Sequence, residues 1–190
     1  MNDQHPILFN GEMVRAVLAG RKTQTRRVVL PQPERETDCP YHIGDGAMRR
    51  ARKCPYGVPG DLLWVRETWR EVSSAMMADG SIPSQPARCV YRADRPWDGP
   101  WRPSIHMPRW ASRITLLVTG VRVERVQDIT PSDAEAEGCW LTPEGRGHYS
   151  VDPPEFRSLW DYVYSKRGAG WDANPWVWVV EFRPAALGEE

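Results

Sequence analysis

One short basic stretch contains residue types that could carry out chemistry. Residues 18–27 read LAGRKTQTRR, and four of the seven side chains at 21–27 are cationic. Lys22 and Thr25 lie three positions apart, and Lys22 is two positions after Gly20, which is expected to end a helix. A neutral lysine can take the proton of a threonine hydroxyl and make it a nucleophile, whereas a protonated lysine can hold an anion. On spacing alone, a solvated basic turn is the simpler interpretation.

The helices that must position this stretch are predicted from capping residues and hydrophobic periodicity. A first helix follows Asn10 as its N-cap and ends at Gly20. A second, short helix follows Thr130 and stops at Gly138. The apolar face of a third helix comprises Phe156, Leu159, Trp160 and Val163.

The remaining pattern indicates strands and a single domain. Strands are predicted at 62–66, at 88–92, in the run SRITLLVTGVRVERVQDI at 112–129 and in the closing NPWVWVVEFR at 174–183. Trp176 and Trp178 share one face of the closing strand, which favours a place in the core. The order of elements predicts an α+β fold, a small mixed β-barrel flanked by short helices. The domain is predicted to span 1–190, with loop insertions near 30–58, 71–111 and 140–154.

Composition and charge restrict the class of protein. The chain has 190 residues, of which 41% are hydrophobic and 26% charged, as in an ordinary soluble domain. No apolar run approaches the ~18 residues of a membrane span, and no secretory signal pattern is seen, so a cytoplasmic location is expected. The net charge is zero, yet residues 15–53 carry +6 and residues 120–190 carry −6. The opposite charges of these two parts could pair when the parts pack together, or the first part could form a basic face that binds phosphate.

A metal site must also be considered. Cys39 and His42 have the spacing of a ligand pair, and Cys54 and Cys89 could supply further ligands. Structural zinc usually shows two closely spaced pairs, and only one is present. Free thiols are therefore expected, with no metal and no cofactor.

Four segments together resemble a known family. GRKTQTRR, PGDLLWVRE, TPSDAEAEG and VWVVEF occur in the order found in the activating signal cointegrator homology (ASCH) domain, over about residues 7–183. The family motif G-x-K-x-x-x-x-R matches Gly20, Lys22 and Arg27. The resemblance implies a PUA-like β-barrel related to RNA-associated domains. One activity in this family is hydrolysis of the acetamide of N4-acetylcytidine by a lysine, a threonine and a glutamate.

By motif match, the resemblance assigns catalytic roles to Lys22, Thr25 and Glu137 and makes Arg27 a structural or anion-holding cation. In one mechanism Lys22 is the base for Thr25, and Glu137 acts as acid or base at the substrate amino group. In the other, Glu137 is the base, attack by water is possible and a charged Lys22 steadies the oxyanion. Contact with a carboxylate favours the charged lysine, so the first mechanism requires burial or nearby cations to lower the lysine pKa. Without the family, Glu137 is an ordinary exposed glutamate of an Ala-rich helix.

Two further segments, WVRETW and SIHMPRWASR, combine charged, titratable and aromatic side chains that could contact a substrate. Strand alternation puts Trp64 and Arg66 on one face and Val65 and Glu67 on the other. A structural ion pair and a buried corner are the simpler interpretations. With Arg27, the candidates for substrate binding are Arg66, Glu67, Trp69, His106, Arg109 and Trp110.

The expected function is therefore an amidohydrolase that removes the acyl group from N4-acylated cytosine nucleosides or a related modified base. The expected partner is a modified nucleoside or single-stranded RNA. The alternative is an RNA-binding module, or a ribonuclease, of the same family without amidase activity. The basic stretch and the ten tryptophans favour this alternative, which predicts binding that weakens steeply with salt.

Overall fold

The computed structural model describes residues 2–33, 53–71, 89–94, 100–139 and 154–186. The helices and strands are, in chain order, β1 (Gln4–Leu8), α1 (Gly11–Leu18), β2 (Gln24–Val28), β3 (Leu62–Arg66), β4 (Trp69–Glu71), β5 (Cys89–Tyr91), β6 (Thr115–Arg125), α2 (Pro131–Ala136), α3 (Pro154–Tyr164) and β7 (Trp176–Pro184). Within these ranges, no helix has the length and apolar character needed to cross a membrane.

The two helices with capping signals form where they were predicted. At α1, the Asn10 side chain accepts a hydrogen bond from the backbone N–H of Met13 at 2.8 Å. At α2, Thr130 accepts from the backbone of Asp133, and the Asp133 carboxylate accepts from the Thr130 backbone, which is a capping box. Gly138 then takes a left-handed backbone with a φ of 85°, which ends the helix.

Five strands form one mixed sheet in the order β1-β3-β6-β7-β2, and β4 pairs with β5 in a separate sheet. The β1–β3 pair is parallel, and the other pairs of the large sheet are antiparallel. The predicted α+β class is confirmed. Among the residues described, no backbone pairing joins β1 to β2, so a closed barrel is not found.

Strands β1 and β2 were not predicted from the sequence. The first contains a proline, and the second, QTRRV, has charged and polar residues where alternation would place apolar ones. Residues 24–28 form a strand because they pair along the whole of their length with β7. A turn was predicted over 21–27, but the strand begins at Gln24, so only residues 21–23 lie outside it.

Two apolar cores lie on opposite faces of the sheet, and β7 contributes to both. Trp178 and Val180 pack into the core beneath α1, whereas Val177 and Val179 pack into the core beneath α2 and α3. Trp176 is half-buried against the first core, so the predicted shared face of Trp176 and Trp178 is confirmed. Both faces of β7 are therefore covered, and its side chains join the two cores.

The apolar face of α3 differs from the prediction at its end. Phe156 and Trp160 are buried as expected, and Leu159 is half-buried. Val163 is exposed, and Tyr164 packs instead, with its ring centroid 4.3 Å from that of Trp160. The helix ends at Tyr164, so the last contact is made by the ring one turn after Trp160.

We expect Gly138→Ala to lower the free energy of unfolding more than Gly20→Ala. Both glycines have a positive φ, which costs an alanine about 1 kcal/mol. At Gly138 an added Cβ would also lie 3.2 Å from the Cβ of Ala16 and 3.4 Å from that of Lys22, whereas nothing lies within 4 Å at Gly20. Urea unfolding of both variants measures the difference. Equal losses would contradict tight docking of α2 against α1.

Candidate functional site

Backbone hydrogen bonds fix the end of α2 to the segment that joins α1 to β2. The N–H of Thr23 donates to the carbonyl of Ala136 at 2.9 Å, and the N–H of Lys22 donates to the carbonyl of Ala16 at 3.1 Å. The carbonyl of Thr23 accepts from Phe182 of β7 at 2.8 Å. These bonds bring the start of β2, the end of α1 and the end of α2 to one place.

Lys22 and Glu137 meet at this place. The Lys22 Nζ lies 2.8 Å from each of three acceptors, namely the carbonyl of Gln24, the carbonyl of Glu137 and Glu137 Oε2. Both side chains are buried, with 1% and 6% of their surface exposed. Three acceptors match the three N–H donors of an ammonium group, so the arrangement suits a charged lysine at rest.

The surroundings of Lys22 act on its pKa in opposite directions. Burial lowers the pKa, the Glu137 carboxylate raises it, and the nearby Arg27 guanidinium lowers it again. Burial dominates, so the pKa of Lys22 lies below its ordinary value. The lysine is thus held in the charged form less firmly than an exposed lysine.

Thr25 lies on β2 in register with Val180 and is fully buried. Its Oγ1 has no hydrogen-bond partner among the residues described. Strand alternation puts Thr25 and Arg27 on the face of the first core, where the ring of Phe9 lies 5.7 Å from the Arg27 guanidinium and 5.8 Å from Lys22 Nζ. A buried hydroxyl without a partner is costly, and functional sites are one place where such groups occur.

The other face of β2 carries a network of charges around Arg26. This side chain is buried, with Nη1 3.3 Å from Glu137 Oε1, Nη2 3.2 Å from Asp133 Oδ2 and Nε 3.1 Å from Glu124 Oε1. Arg122 extends the network, because it also contacts Glu124 and Asp133. Cations from the basic part of the chain are thus paired with carboxylates from the acidic part. The interpretation of 21–27 as a solvated basic turn is wrong for Lys22 and Arg26.

Two of the other predicted substrate contacts lie at the end of β3. The Arg66 guanidinium lies 5.4 Å from the Trp64 ring, as alternation predicted, and donates to the carbonyl of Ile105. Glu67 is buried and accepts two hydrogen bonds from Arg113, at 2.9 and 3.2 Å. Burial raises the pKa of Glu67, although the bonds from Arg113 oppose the rise.

The remaining candidates, Trp69, His106, Arg109 and Trp110, follow the end of β3 or lie in the segment that contacts it, where the N–H of Glu67 donates to Met107 Sδ at 3.4 Å. The Trp69 ring is 1% exposed and packs against Met107, with Trp110 edge-on at a centroid distance of 5.7 Å. Arg109 donates to side chains of β1 and β6. His106 is exposed, and so is about half of Trp110, at 53%. In this arrangement Trp110, and not Trp69, offers a ring surface to solvent.

One hydrogen bond joins the end of β3 to the Lys22 site. The N–H of Phe9, which lies beneath Lys22 and Arg27, donates to the carbonyl of Arg66 at 3.1 Å. Sequence reasoning missed Phe9, since nothing in its segment marks it. The pairing role of Arg26 was missed because it depends on β2 being a strand.

The structure describes only some of the residues that were considered as zinc ligands. Cys39 and His42 lie outside the residues described. Cys54 is a free thiol in the first core, and burial raises its pKa to about 11. Cys89 forms no disulfide bond within the part of the chain that the structure describes.

One group in the described part of the chain has ligand atoms close enough for a metal ion: Asp3, His5 and Asp61, within 4.8 Å of one another. The Asp61 carboxylate already accepts hydrogen bonds from the backbone of Asp3 and Val58, at 3.1 and 2.9 Å. These bonds stabilise the turn before β3, and this structural role explains why the Asp61 carboxylate lies there.

A polar cleft of about 350 Å³ lies on the Arg26 side of the sheet. It lies between the start of β2 and the start of α2, and its lining consists of Thr23, Gln24, Thr119, Ser132, Asp133, Ala136, Glu181 and Phe182. Alternation directs Gln24 into this cleft and Thr25 away from it. The cleft is therefore separate from the face on which Lys22, Thr25 and Phe9 lie.

Two solved structures are similar to the chain at low identity. Protein EF3133 from Enterococcus faecalis V583, family model DUF984, gives a TM-score of 0.43 at 10% identity, over 97% of this chain and 82% of that one. Hypothetical protein PH0355 gives a TM-score of 0.40 at 13% identity, over 96% of this chain and 99% of that one. No family model and no curated protein matches the chain. With TM-scores below 0.5, these likenesses carry no argument about fold or function.

We expect the stability of the fold to depend on Asp133 above about pH 4. Burial raises the pKa of Asp133, but hydrogen bonds from Gln24 and Thr130 and the charge of Arg26 outweigh it and lower the pKa to about 2. A folded-state pKa below the unfolded value stabilises the fold at higher pH, and this stabilisation is lost as the pH falls from about 4 to 2.

Asp133→Asn should therefore lose about 1 kcal/mol at pH 7, allowing for solvent screening of this partly exposed group, and should show a flatter pH profile below about pH 4. Urea unfolding at several pH values measures the profile, with the exposed neighbour Ser132→Ala as the control. Identical profiles for wild type and Asp133→Asn would contradict the role of Asp133.

Proposed function

We propose that the chain is an amidohydrolase that removes the acyl group from N4-acylated cytosine nucleosides or a related modified base. The observation that carries the proposal is the buried contact between Lys22 Nζ and Glu137 Oε2, at 2.8 Å, beside a strand that holds the Thr25 hydroxyl buried and unpartnered. These are the three residues to which the ASCH resemblance assigns catalysis. Lys22 and Glu137 are 115 positions apart, so their contact does not follow from local sequence.

The proposal includes a PUA-like barrel as the scaffold. The edge strands of the large sheet are β1 and β2, and Arg27 Nη2 of β2 donates to the carbonyl of Leu8 of β1 at 2.9 Å. This bond supports a sheet that curves until its edges approach each other. Arg27 then acts first as a structural link, and its charge also lies close to Lys22.

In the proposed first half of the reaction, Thr25 Oγ1 attacks the acyl carbon of the substrate. Lys22 first loses a proton to solvent, which its lowered pKa makes easier, and the neutral amine then takes the hydroxyl proton. The carbon–nitrogen bond then breaks, and the leaving amino nitrogen of cytosine receives a proton from the Lys22–Glu137 pair. The products of this half are the free nucleoside and an acyl ester on Thr25.

In the second half, water attacks the ester carbon and the carboxylic acid leaves. The proton that water gives up passes through the same pair to Oγ1, which restores the Thr25 hydroxyl. The unpartnered Oγ1 supports this role, because it is not already engaged in a hydrogen bond that the reaction would have to break.

The RNA-binding alternative gains less support from the site. Lys22 and Arg26 are 2% and 1% exposed and are paired with carboxylates. They are therefore not available to phosphate groups as the basic stretch had suggested.

We expect the purified protein to convert N4-acetylcytidine to cytidine, and Lys22→Ala, Thr25→Ala and Glu137→Gln each to lower the rate by about 100-fold or more. Chromatography of the nucleosides measures the rate. Thr23→Ala is the matched control, because Thr23 is exposed, is two positions from Thr25 and makes its contacts through its backbone. Thr25→Ser keeps a hydroxyl and should keep part of the activity.

Two outcomes would contradict the proposal. Full activity in all three variants would show that the reaction occurs elsewhere. No cytidine from wild type at high enzyme concentration would remove acetylcytidine as a substrate and favour RNA binding, which salt-dependent binding to single-stranded RNA then measures.

A further inference from the structure

The carboxylate of Glu137 lies between two cations that reach it from different sides of β2. Lys22 Nζ lies 2.8 Å from Oε2, and Arg26 Nη1 lies 3.3 Å from Oε1. Each carboxylate oxygen therefore has its own cationic partner. Neither the ASCH motif nor the proposed reaction assigns a role to Arg26.

Arg26 is well suited to be a permanent partner. It is 1% exposed, and it also contacts Glu124 and Asp133 on the face of the sheet that carries the core beneath α2 and α3, with the ring of Phe156 5.9 Å from the guanidinium. An arginine does not lose its proton in proteins, whereas a buried lysine can. The two partners of Glu137 thus differ in whether their charge can change.

This difference matters when Lys22 gives up its proton. If Lys22 were the only partner, its deprotonation would leave Glu137 as an unpaired buried carboxylate, which is strongly disfavoured. With Arg26 on the other oxygen, Glu137 stays paired in both states of Lys22. In the described part of the chain, the other groups that face Lys22 are Arg27 and Cys139, together with the ring of Phe9 and the carbonyls of Gln24 and Glu137.

We propose that Arg26 is a positioning residue that holds Glu137 and balances its charge. Lys22 can then release and take up a proton without leaving the buried Glu137 carboxylate unpaired. The effect of Arg26 on catalysis rests on the proposed function. The effect of Arg26 on the protonation of Lys22 does not, because the contacts among Arg26, Glu137 and Lys22 are present without substrate.

The titration of Lys22 tests the proposal directly. The chain has three lysines, Lys22, Lys53 and Lys166, so the ¹⁵N signals of their side chains can be assigned by substitution. Lys53 and Lys166 are exposed and serve as internal references. In wild type, the Lys22 signal should titrate below its ordinary pKa of 10.5.

Arg26→Gln should raise the pKa of Lys22 by about one unit or more, because Glu137 then depends on the charge of Lys22 alone. Arg26→Lys keeps a cation at this position and should restore part of the wild-type value. Arg122→Gln is the matched control, because Arg122 shares Glu124 and Asp133 with Arg26 and has no contact with Glu137 among the residues described. It should leave the Lys22 titration within a few tenths of a unit.

An unchanged Lys22 titration in Arg26→Gln would overturn the proposal, and so would equal shifts in Arg26→Gln and Arg122→Gln. If Arg26→Gln alone does not fold, combining it with Glu124→Gln removes the cation together with one of its carboxylates. A smaller rise in the Lys22 pKa is then expected, because loss of a carboxylate offsets part of the effect of losing the cation. In the N4-acetylcytidine assay, the rise of the rate with pH should move upward in step with the Lys22 titration. If wild type has no activity on that substrate, the proposed function fails, and the titration still decides the role of Arg26.

Discussion

The need to pair buried charges determines how the parts of this site are arranged. Lys22 and Arg26 are almost fully buried, and neither could be so without an opposite charge in contact. The carboxylates come from α2 and β6, far along the chain, so α2 must lie across the start of β2. The backbone bond from Thr23 to Ala136 and the left-handed turn at Gly138 make that position possible. The pairing of the buried charges and the backbone geometry at the end of α2 thus both place α2 across the start of β2.

Much of this arrangement could be predicted from local sequence. The cap at Asn10, the capping box at Thr130 and the stop at Gly138 depend on neighbouring residues, and all three form as predicted. The long β-prone run and the closing strand also form, because β-branched and aromatic residues suit a strand that is buried on its faces. These features need no knowledge of distant contacts.

The parts that could not be predicted depend on such contacts. QTRRV reads as a polar turn because its buried residues, Gln24, Thr25 and Arg26, are polar or charged. The carboxylates that allow Arg26 to be buried lie 98 to 111 positions further along the chain. Phe9 lies in a segment that becomes part of the site only because Arg27 and Lys22 reach over its ring. The closeness of Lys22 and Glu137 was expected from a family resemblance, since periodicity and spacing gave no reason to bring them together.

Strand β2 lies between the charge network around Arg26 and the proposed catalytic site. Its alternation sends Gln24 and Arg26 to the charge network and Thr25 and Arg27 to the face of the first core. Glu137 lies where both sides can be reached, because it caps α2 at the beginning of the strand. A charge fixed on one face can therefore influence the protonation of a lysine beside the other. The strongly polar sequence of this strand is then explained by its position between the network and the proposed site, and it need not imply contact with solvent or phosphate.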